Sequence, residues 1–213
     1  MASRLMHLAV AEMILAREKV NDPNRFRLGC ILPDAKIDSA LRAAPHFQRR
    51  LSNGLVTCGL KKYLELFGDR VWQDELYLGY YLHLVQDMVY RRYMYAIPFW
   101  DARVPDNIRR LHSDYRKLNR YIVESRGLEN TITTPTEFEK EAINLMFDFD
   151  AEGFLQELQN DFESVQEGEY NIFTPQMAED FFAIAAETCF RELEALHDGL
   201  PIYDEEAMAW GRE

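Results

Sequence analysis

Apolar side chains recur at helical spacing along most of the chain. In residues 4–19 they share one face, and the stretch 70–95 is the longest such pattern. Apolar residues that return every three or four positions indicate helices that bury one side. Helices are predicted over residues 4–19, 54–67, 70–95, 105–126, 134–147 and 150–166, and in a last segment that runs from Thr174-Pro175 to near Gly199.

No convincing strand alternation accompanies these helices. The pattern therefore predicts an all-α protein, with about seven helices in one bundle. The length of 213 residues suits one large domain, so a single domain over residues 1–213 is expected.

Turn and cap signals set the expected helix limits. Pro33 biases Leu32 towards an extended backbone. Residues 35–53 look irregular, and Asn53 is the predicted N-cap of the helix that follows. Gly68 is expected to stop that helix, because glycine is a weak helix former.

Charge and cysteine usage narrow the class of protein. The formal net charge of −12 argues against a general nucleic-acid or anionic-membrane surface, which would need a basic patch. Cys30, Cys58 and Cys189 are far apart and odd in number, so reduced, buried thiols of a cytoplasmic protein are expected. The first residues show no signal-peptide pattern, and no apolar run is long enough to predict a transmembrane segment.

Candidate chemistry is concentrated in the apolar segment Gly79–Tyr90, which carries His83 and Asp87. Residues four apart lie on the same face of a helix, one turn from each other. A carboxylate in a core helix is costly unless it is paired or binds a metal. A divalent metal is one interpretation of this pair, and a His–Asp hydrogen bond that satisfies both groups is the other.

Other residues extend this pair to a possible ligand set. His7, His46 and His112 also lie among apolar neighbours in the first part of the chain, and Asp34 follows a Gly-xxx-Pro sequence. Imidazole and carboxylate are the ligands that zinc and similar divalent ions prefer. Taken singly, each also has a structural interpretation: a core histidine, a loop histidine, or an aspartate that caps a turn.

The chain resembles the bacterial zinc-dependent phospholipase C family in the order of its candidate residues. A first helix with His7 is followed by Gly29-xxx-Pro33-Asp34, then His46, then Gly79-xxx-His83-xxx-Asp87. The fungal zinc-dependent single-strand nucleases share the fold of that family. The resemblance covers residues 1–120, the half with the metal site. Residues 121–213 are expected to supply C-terminal helices that complete the bundle.

The resemblance implies that Asp34, His46, His83 and Asp87 bind zinc, and that His7 binds a further metal that shares Asp87. It implies a metal-dependent hydrolase; family members usually hold three ions, and one or two zinc ions, or another divalent metal, are expected here. Its substrate would be a small phosphate ester or phospholipid-type phosphodiester. A metal-activated water would be the nucleophile, and Asp34 would orient or deprotonate it.

Two features of the family pattern are missing: a further histidine after the His-xxx-Asp pair, and the N-terminal tryptophan with which secreted family enzymes ligate a metal. Family members carry another histidine shortly after the His-xxx-Asp pair, where this chain has Arg91 and Tyr93. Arg91 follows Asp87 by one helical turn, so it is a candidate for binding the phosphate. His112 is a candidate ligand of a second metal, although Arg116 stands where its carboxylate partner is expected and Asp114 is the nearest substitute.

Two other functions remain open from the sequence. A degenerate relative with one structural metal, or none, would serve as a binding or scaffold protein, and the missing family histidine favours it. An HD-type phosphohydrolase is a third alternative, but its adjacent His-Asp pair occurs only at His197-Asp198, far along the chain from the other candidates.

Overall fold

The computed structural model describes residues 2–37, 44–199 and 203–211. These residues form eight α-helices and one small antiparallel hairpin, which confirms the predicted all-α fold. The elements in chain order are α1 (Arg4–Leu15), α2 (Pro23–Ile31), β1 (Gln48–Arg50), β2 (Val56–Cys58), α3 (Leu60–Val71), α4 (Glu75–Tyr95), α5 (Pro105–Arg126), α6 (Ala142–Phe147), α7 (Ala151–Glu163) and α8 (Pro175–His197).

Helix α4 is the centre of the fold. It packs against α2, α3 and α8, and α1 closes the same core through its contacts with α2 and α8. Its buried residues surround the helix rather than forming one stripe, as expected of a core helix. Asp74 begins the helix, because its side chain accepts a hydrogen bond from the Leu76 amide.

Two glycines allow α2 and α4 to cross at close range. A Cβ atom placed on Gly79 would lie 2.3 Å from the Phe26 carbonyl oxygen, and one on Gly29 would lie 2.2 Å from that of Leu76. No side chain fits at such distances, so only glycine lets the two backbones approach this closely. The crossing fixes α2, and the turn that follows it, against the middle of α4.

The structure corrects several predicted limits in the first half of the chain. Residues 23–31 are helical, with Asp22 as N-cap, and Leu32 keeps a helical backbone at the start of a 3₁₀ turn that ends at Asp34. The extended backbone predicted for Leu32 is therefore wrong. Local hydrogen bonding continues the helix into the turn and outweighs the bias before proline.

The region before α3 also differs from its prediction. Asn53 caps no helix; its side chain accepts the Leu55 amide in the loop of the hairpin β1–β2. Helix α3 begins at Leu60 and continues through Gly68 to Val71. Gly68 sits on the partly exposed side of α3, where the cost of a helical glycine is only about 1 kcal/mol.

The C-terminal half agrees better with the pattern. Helices α5, α7 and α8 occupy the predicted segments, and Thr174 caps α8 by accepting the Met177 amide. The predicted helix at 134–147 is shorter than expected, being a 3₁₀ turn (Phe138–Lys140) followed by α6. None of the described helices has the length and continuous apolar character that a membrane crossing needs.

Candidate metal centre

Four separate elements bring polar side chains to one point inside the core. His83 and Asp87 come from the middle of α4, His7 from α1, Asp34 from the 3₁₀ turn after α2, and His46 from the turn before β1. Their donor atoms form two overlapping groups that share His83, and within each group all atoms lie within 4.8 Å of one another. Five residues that span most of the first half of the chain therefore converge.

The distances between these side chains are short and similar. Nε2 of His46 lies 3.3 Å from Oδ1 of Asp34 and 3.7 Å from Oδ2 of Asp87. Nε2 of His7 lies 3.6 Å from Oδ1 of Asp87 and 4.0 Å from Oδ2 of Asp34. Each of these two imidazoles thus faces both carboxylates, and the donors form one continuous set.

The atoms that face one another make no hydrogen bond of acceptable geometry within the described part of the chain. They are Nε2 of His7, His46 and His83, Oδ1 of Asp34 and Oδ2 of Asp87, and all five are inaccessible to solvent. Buried polar atoms are almost always paired, because an unpaired group costs roughly 1–3 kcal/mol. Five such atoms this close together are an arrangement that a bound cation would satisfy.

Hydrogen bonds outside the cluster set the direction of two imidazoles. Nδ1 of His83 donates to the Cys30 carbonyl oxygen at 2.8 Å, so its Nε2 presents a lone pair to the cluster. Nδ1 of His7 lies 2.9 Å from the Gln86 side-chain oxygen, which orients that ring in the same way. Imidazoles that bind metals commonly donate their other N–H to such partners.

The charge state of the cluster suits a divalent cation. Burial, together with the neighbouring His7 imidazole, lowers the pKa of His83 to about 3, so this ring is neutral. Burial would raise the pKa of Asp34, but the surrounding imidazoles of His46, His83 and His7 lower it to about 2. Burial would also raise the pKa of Asp87, but the positive charge of the chain's N-terminus and the contact with His7 hold it well below its ordinary value. Asp34 and Asp87 are therefore ionised, and they raise the pKa of His7 against its burial, so the cluster attracts positive charge.

The donor set fits zinc. Zinc binds imidazole nitrogen and carboxylate oxygen at about 2.0–2.2 Å, which places the ligands of one ion roughly 3–4 Å apart. The four measured separations between histidine nitrogens and carboxylate oxygens run from 3.3 to 4.0 Å. His7, His83 and Asp87 are close enough together to hold an ion, and so are Asp34, His46 and His83.

A cavity of about 380 Å³ adjoins the cluster, and Asp34 is part of its wall. Arg91 and His112, two further candidates from the sequence, also line it. The Nε atom of Arg91 is buried and has no hydrogen-bond partner among the described residues, and its guanidinium lies 5.9 Å from the Trp210 ring. Arg91 therefore has a position from which it can contact a ligand in the cavity.

His112 lies outside both groups of donor atoms. Its exposed ring stacks on Tyr115, and burial of part of the ring together with nearby Arg116 lowers its pKa. Asp114, the carboxylate nearest to it in sequence, turns away into the core, where it accepts the backbone amides of residues 171–173. Asp114 therefore cannot join His112 as a ligand of a second metal ion.

Two contributors to the site were not foreseen from the sequence. Gln86 orients His7, and the backbone carbonyl of Cys30 orients His83. Gln86 directly precedes Asp87 on α4, so its position in the sequence could have indicated a role in the site. The Cys30 carbonyl could not be predicted, because every residue has a backbone carbonyl. His197, at the end of α8, lies against the Trp72 ring.

Comparisons with protein-family models, curated proteins and solved structures found no match to this chain.

Proposed function

We propose that the protein is a metal-dependent hydrolase of phosphate esters, including phosphodiesters, as its resemblance to zinc-dependent phospholipase C implies. Zinc is the preferred ion, held by His7, Asp34, His46, His83 and Asp87, with a second ion or another divalent metal as variants of the same proposal. When bound, the ion would polarise a phosphoryl oxygen and lower the pKa of a water towards ~7.

One observation carries this proposal. Asp34 belongs both to the buried donor cluster and to the wall of the cavity that Arg91 also lines. A purely structural site is closed on all sides by protein ligands, whereas a catalytic site keeps an approach for water and substrate. Asp34 lies at the boundary between the buried cluster and the cavity, through which water and substrate could approach.

The side chains at this boundary have distinct roles in the proposal. Asp34, ionised and with one oxygen unpaired, orients the attacking water and accepts its proton. Arg91 binds the negative charge of the phosphate, because a guanidinium matches phosphate oxygens in two parallel hydrogen bonds. The buried walls around His83 and Asp87 keep bulk water away from the reacting group.

The test compares His83→Ala with His197→Ala. The protein is purified without added metal or chelator, analysed for metal content, loaded with zinc, and assayed on bis(4-nitrophenyl) phosphate. We expect the wild type and His197→Ala, which changes an exposed histidine, to bind zinc and hydrolyse the ester. His83→Ala should lose both. Full zinc content and full activity in His83→Ala would refute the proposed site.

A structural metal is the second candidate function, and the burial of the ligands favours it. His7, His83 and Asp87 are at most 1% exposed, and five donors can fill a zinc ion without any water. A protein that binds zinc and gains stability from it, yet shows no hydrolysis of phosphate esters above the His83→Ala background, would support this candidate over the hydrolase.

A further inference from the structure

The cavity beside Asp34 lies between α4 and α5. Tyr90 of α4 and Tyr115 of α5 both line it, and their hydroxyl groups form a hydrogen bond that joins the two helices. The chain leaves α4 at Tyr95 and enters α5 at Pro105. Residues after Tyr90 on α4 and before Tyr115 on α5 therefore both lie towards the connecting segment, and Asp87 lies on the other side of this tyrosine pair.

The cavity wall changes its chemistry across this tyrosine pair. Arg91 and Arg116 lie beside the two tyrosines in sequence, and neither forms an ion pair with an acidic side chain in the described ranges. The remaining arginine of the wall, Arg4, is already paired with Asp161 and Glu157. Nε of Arg116 donates to the side-chain oxygen of Gln166 at 3.0 Å, whereas Nε of Arg91 has no partner among the described residues, so Arg91 is the guanidinium placed for an anionic ligand.

The wall towards the connecting segment is apolar. Met94 and Trp100 come from the end of α4 and the residues after it, and Ile108 and Leu111 come from the first turns of α5. Met94 stands seven residues beyond Asp87, which is about 10 Å along a helix at 1.5 Å per residue. Going outward from the cluster, the cavity is lined first by carboxylate, then by guanidinium, then by apolar side chains.

We infer that the ligand of this cavity is an anionic phosphate ester whose organic group is uncharged and apolar, aromatic or short alkyl in character. The phosphate would lie between the cluster and Arg91, and the organic group would extend along Met94, Ile108 and Leu111. A cationic organic group, such as a quaternary ammonium, is disfavoured by Arg91 and Arg116. This inference rests on the proposed function, since it assigns the substrate class of the same site.

The test measures binding rather than turnover. Zinc-loaded protein is titrated by calorimetry with inorganic phosphate, methylphosphonate, phenylphosphonate and phosphorylcholine, none of which requires hydrolysis to be detected. We expect phenylphosphonate to bind about tenfold more tightly than methylphosphonate, because the ring removes apolar area from water. Phosphorylcholine should bind no more tightly than methylphosphonate.

Two matched variants locate the apolar contact. Ile108→Asn makes the apolar wall polar without adding charge, and should abolish the preference for phenylphosphonate while leaving methylphosphonate binding unchanged. Val104→Asn makes the same kind of change four residues earlier, at an exposed position outside the cavity, and should keep the preference. Melting curves of both variants verify that they are folded.

The outcomes separate the two levels of the argument. If zinc-loaded protein binds phosphate but shows no preference for the phenyl group, or prefers phosphorylcholine, the assignment of an apolar group is wrong and the proposed function stands. Retention of the phenyl preference in Ile108→Asn would also overturn the assignment. If zinc-loaded protein binds neither phosphate nor any phosphonate, the proposed function fails, and the substrate class fails with it.

Discussion

Asp87 and Asp114 are both buried carboxylates on long helices, but their surroundings are opposite in kind. Asp114, on α5, accepts the backbone amides of Asn171, Ile172 and Phe173 at 2.7 to 3.1 Å, and Lys117 at 3.1 Å. Asp87, on α4, accepts one amide at 3.3 Å, from Ala2, and its other oxygen has no partner within the described chain.

The two carboxylates differ in how many hydrogen-bond partners the described residues give them. Four hydrogen bonds or more fully satisfy Asp114, so it joins α5 to the segment before α8 and has no capacity for a further ligand. Asp87 keeps an unsatisfied oxygen among other unsatisfied atoms, and the proposed metal would supply the missing interactions. Burial alone does not separate these two cases; the number of partners does.

The largest effect is expected for Asp87→Asn. Changing groups that only support a metal ligand weakens binding by about 10–100-fold, so removing a charged ligand should cost at least ~100-fold. With zinc at ~1,000 times its dissociation constant, the wild type should gain about 4 kcal/mol in unfolding free energy, and Asp87→Asn about 1.4 kcal/mol or less.

Melting curves with zinc and with excess chelator measure this difference. Asp114→Asn is the control, because it changes the satisfied carboxylate in the same way and should keep the full zinc-dependent gain. An equal gain from zinc in wild type and Asp87→Asn would remove the distinction between the two carboxylates.

Gly79→Ala is expected to have the next largest effect, by disturbing the cluster around Asp87 while leaving the surroundings of Asp114 unchanged. Its methyl group would overlap the Phe26 carbonyl and push α2 away from α4, separating Asp34 from His83. We expect a loss of about 2.5 kcal/mol in stability, within the range for overpacking, together with weaker zinc binding.

Gly68→Ala is the matched control for this change. A Cβ on Gly68 of α3 meets no atom within 4 Å, so this substitution should stabilise the helix by about 0.5–1 kcal/mol and leave zinc binding unchanged. Urea denaturation gives both stabilities. Equal stabilities for the two alanine variants would show that the crossing does not need glycine at position 79.

Local pattern accounts for those parts of this molecule that local forces decide. Helical periodicity predicted the all-α fold and helices α5, α7 and α8, and the four-residue spacing placed His83 and Asp87 side by side. It did not predict the close crossing of α2 and α4 at Gly29 and Gly79. These glycines are 50 positions apart, and local pattern does not report which distant residues come into contact. The hairpin β1–β2 was missed for a related reason, since each strand has only three residues and too few positions to show alternation.

Local pattern was also unable to predict how the polar side chains of the candidate site and of Asp114 are arranged. His7 and His46 were grouped with Asp34 by resemblance and residue type, while their distances depend on four elements packing together. His112 had an equally apolar neighbourhood in sequence but lies on the exposed side of α5. The partners of Asp114 are backbone amides 57 to 59 residues later in the chain. Backbone amides are common to nearly all residue types, so the side chains of residues 171–173 could not predict these hydrogen bonds.

The smallest of the three effects is expected for Asp114→Asn itself, and its pH dependence identifies the cause. Hydrogen bonds to a charged group contribute about 1.5–3 kcal/mol, and asparagine keeps one acceptor oxygen, so we expect a loss of about 2 kcal/mol at pH 7.

Burial would raise the pKa of Asp114, but the hydrogen bonds from Asn171, Ile172 and Phe173 lower it below the ordinary value of 3.8. A carboxyl group whose folded-state pKa is lowered stabilises the protein above its unfolded pKa, and this contribution is lost as the pH falls through the folded value. The stability gap between wild type and Asp114→Asn should therefore be constant from pH 7 to about pH 5 and should narrow below pH 3.8. Denaturation of both proteins across this range measures the gap, and a gap that stays unchanged down to pH 3 would mean that shape, rather than charge, makes Asp114 matter.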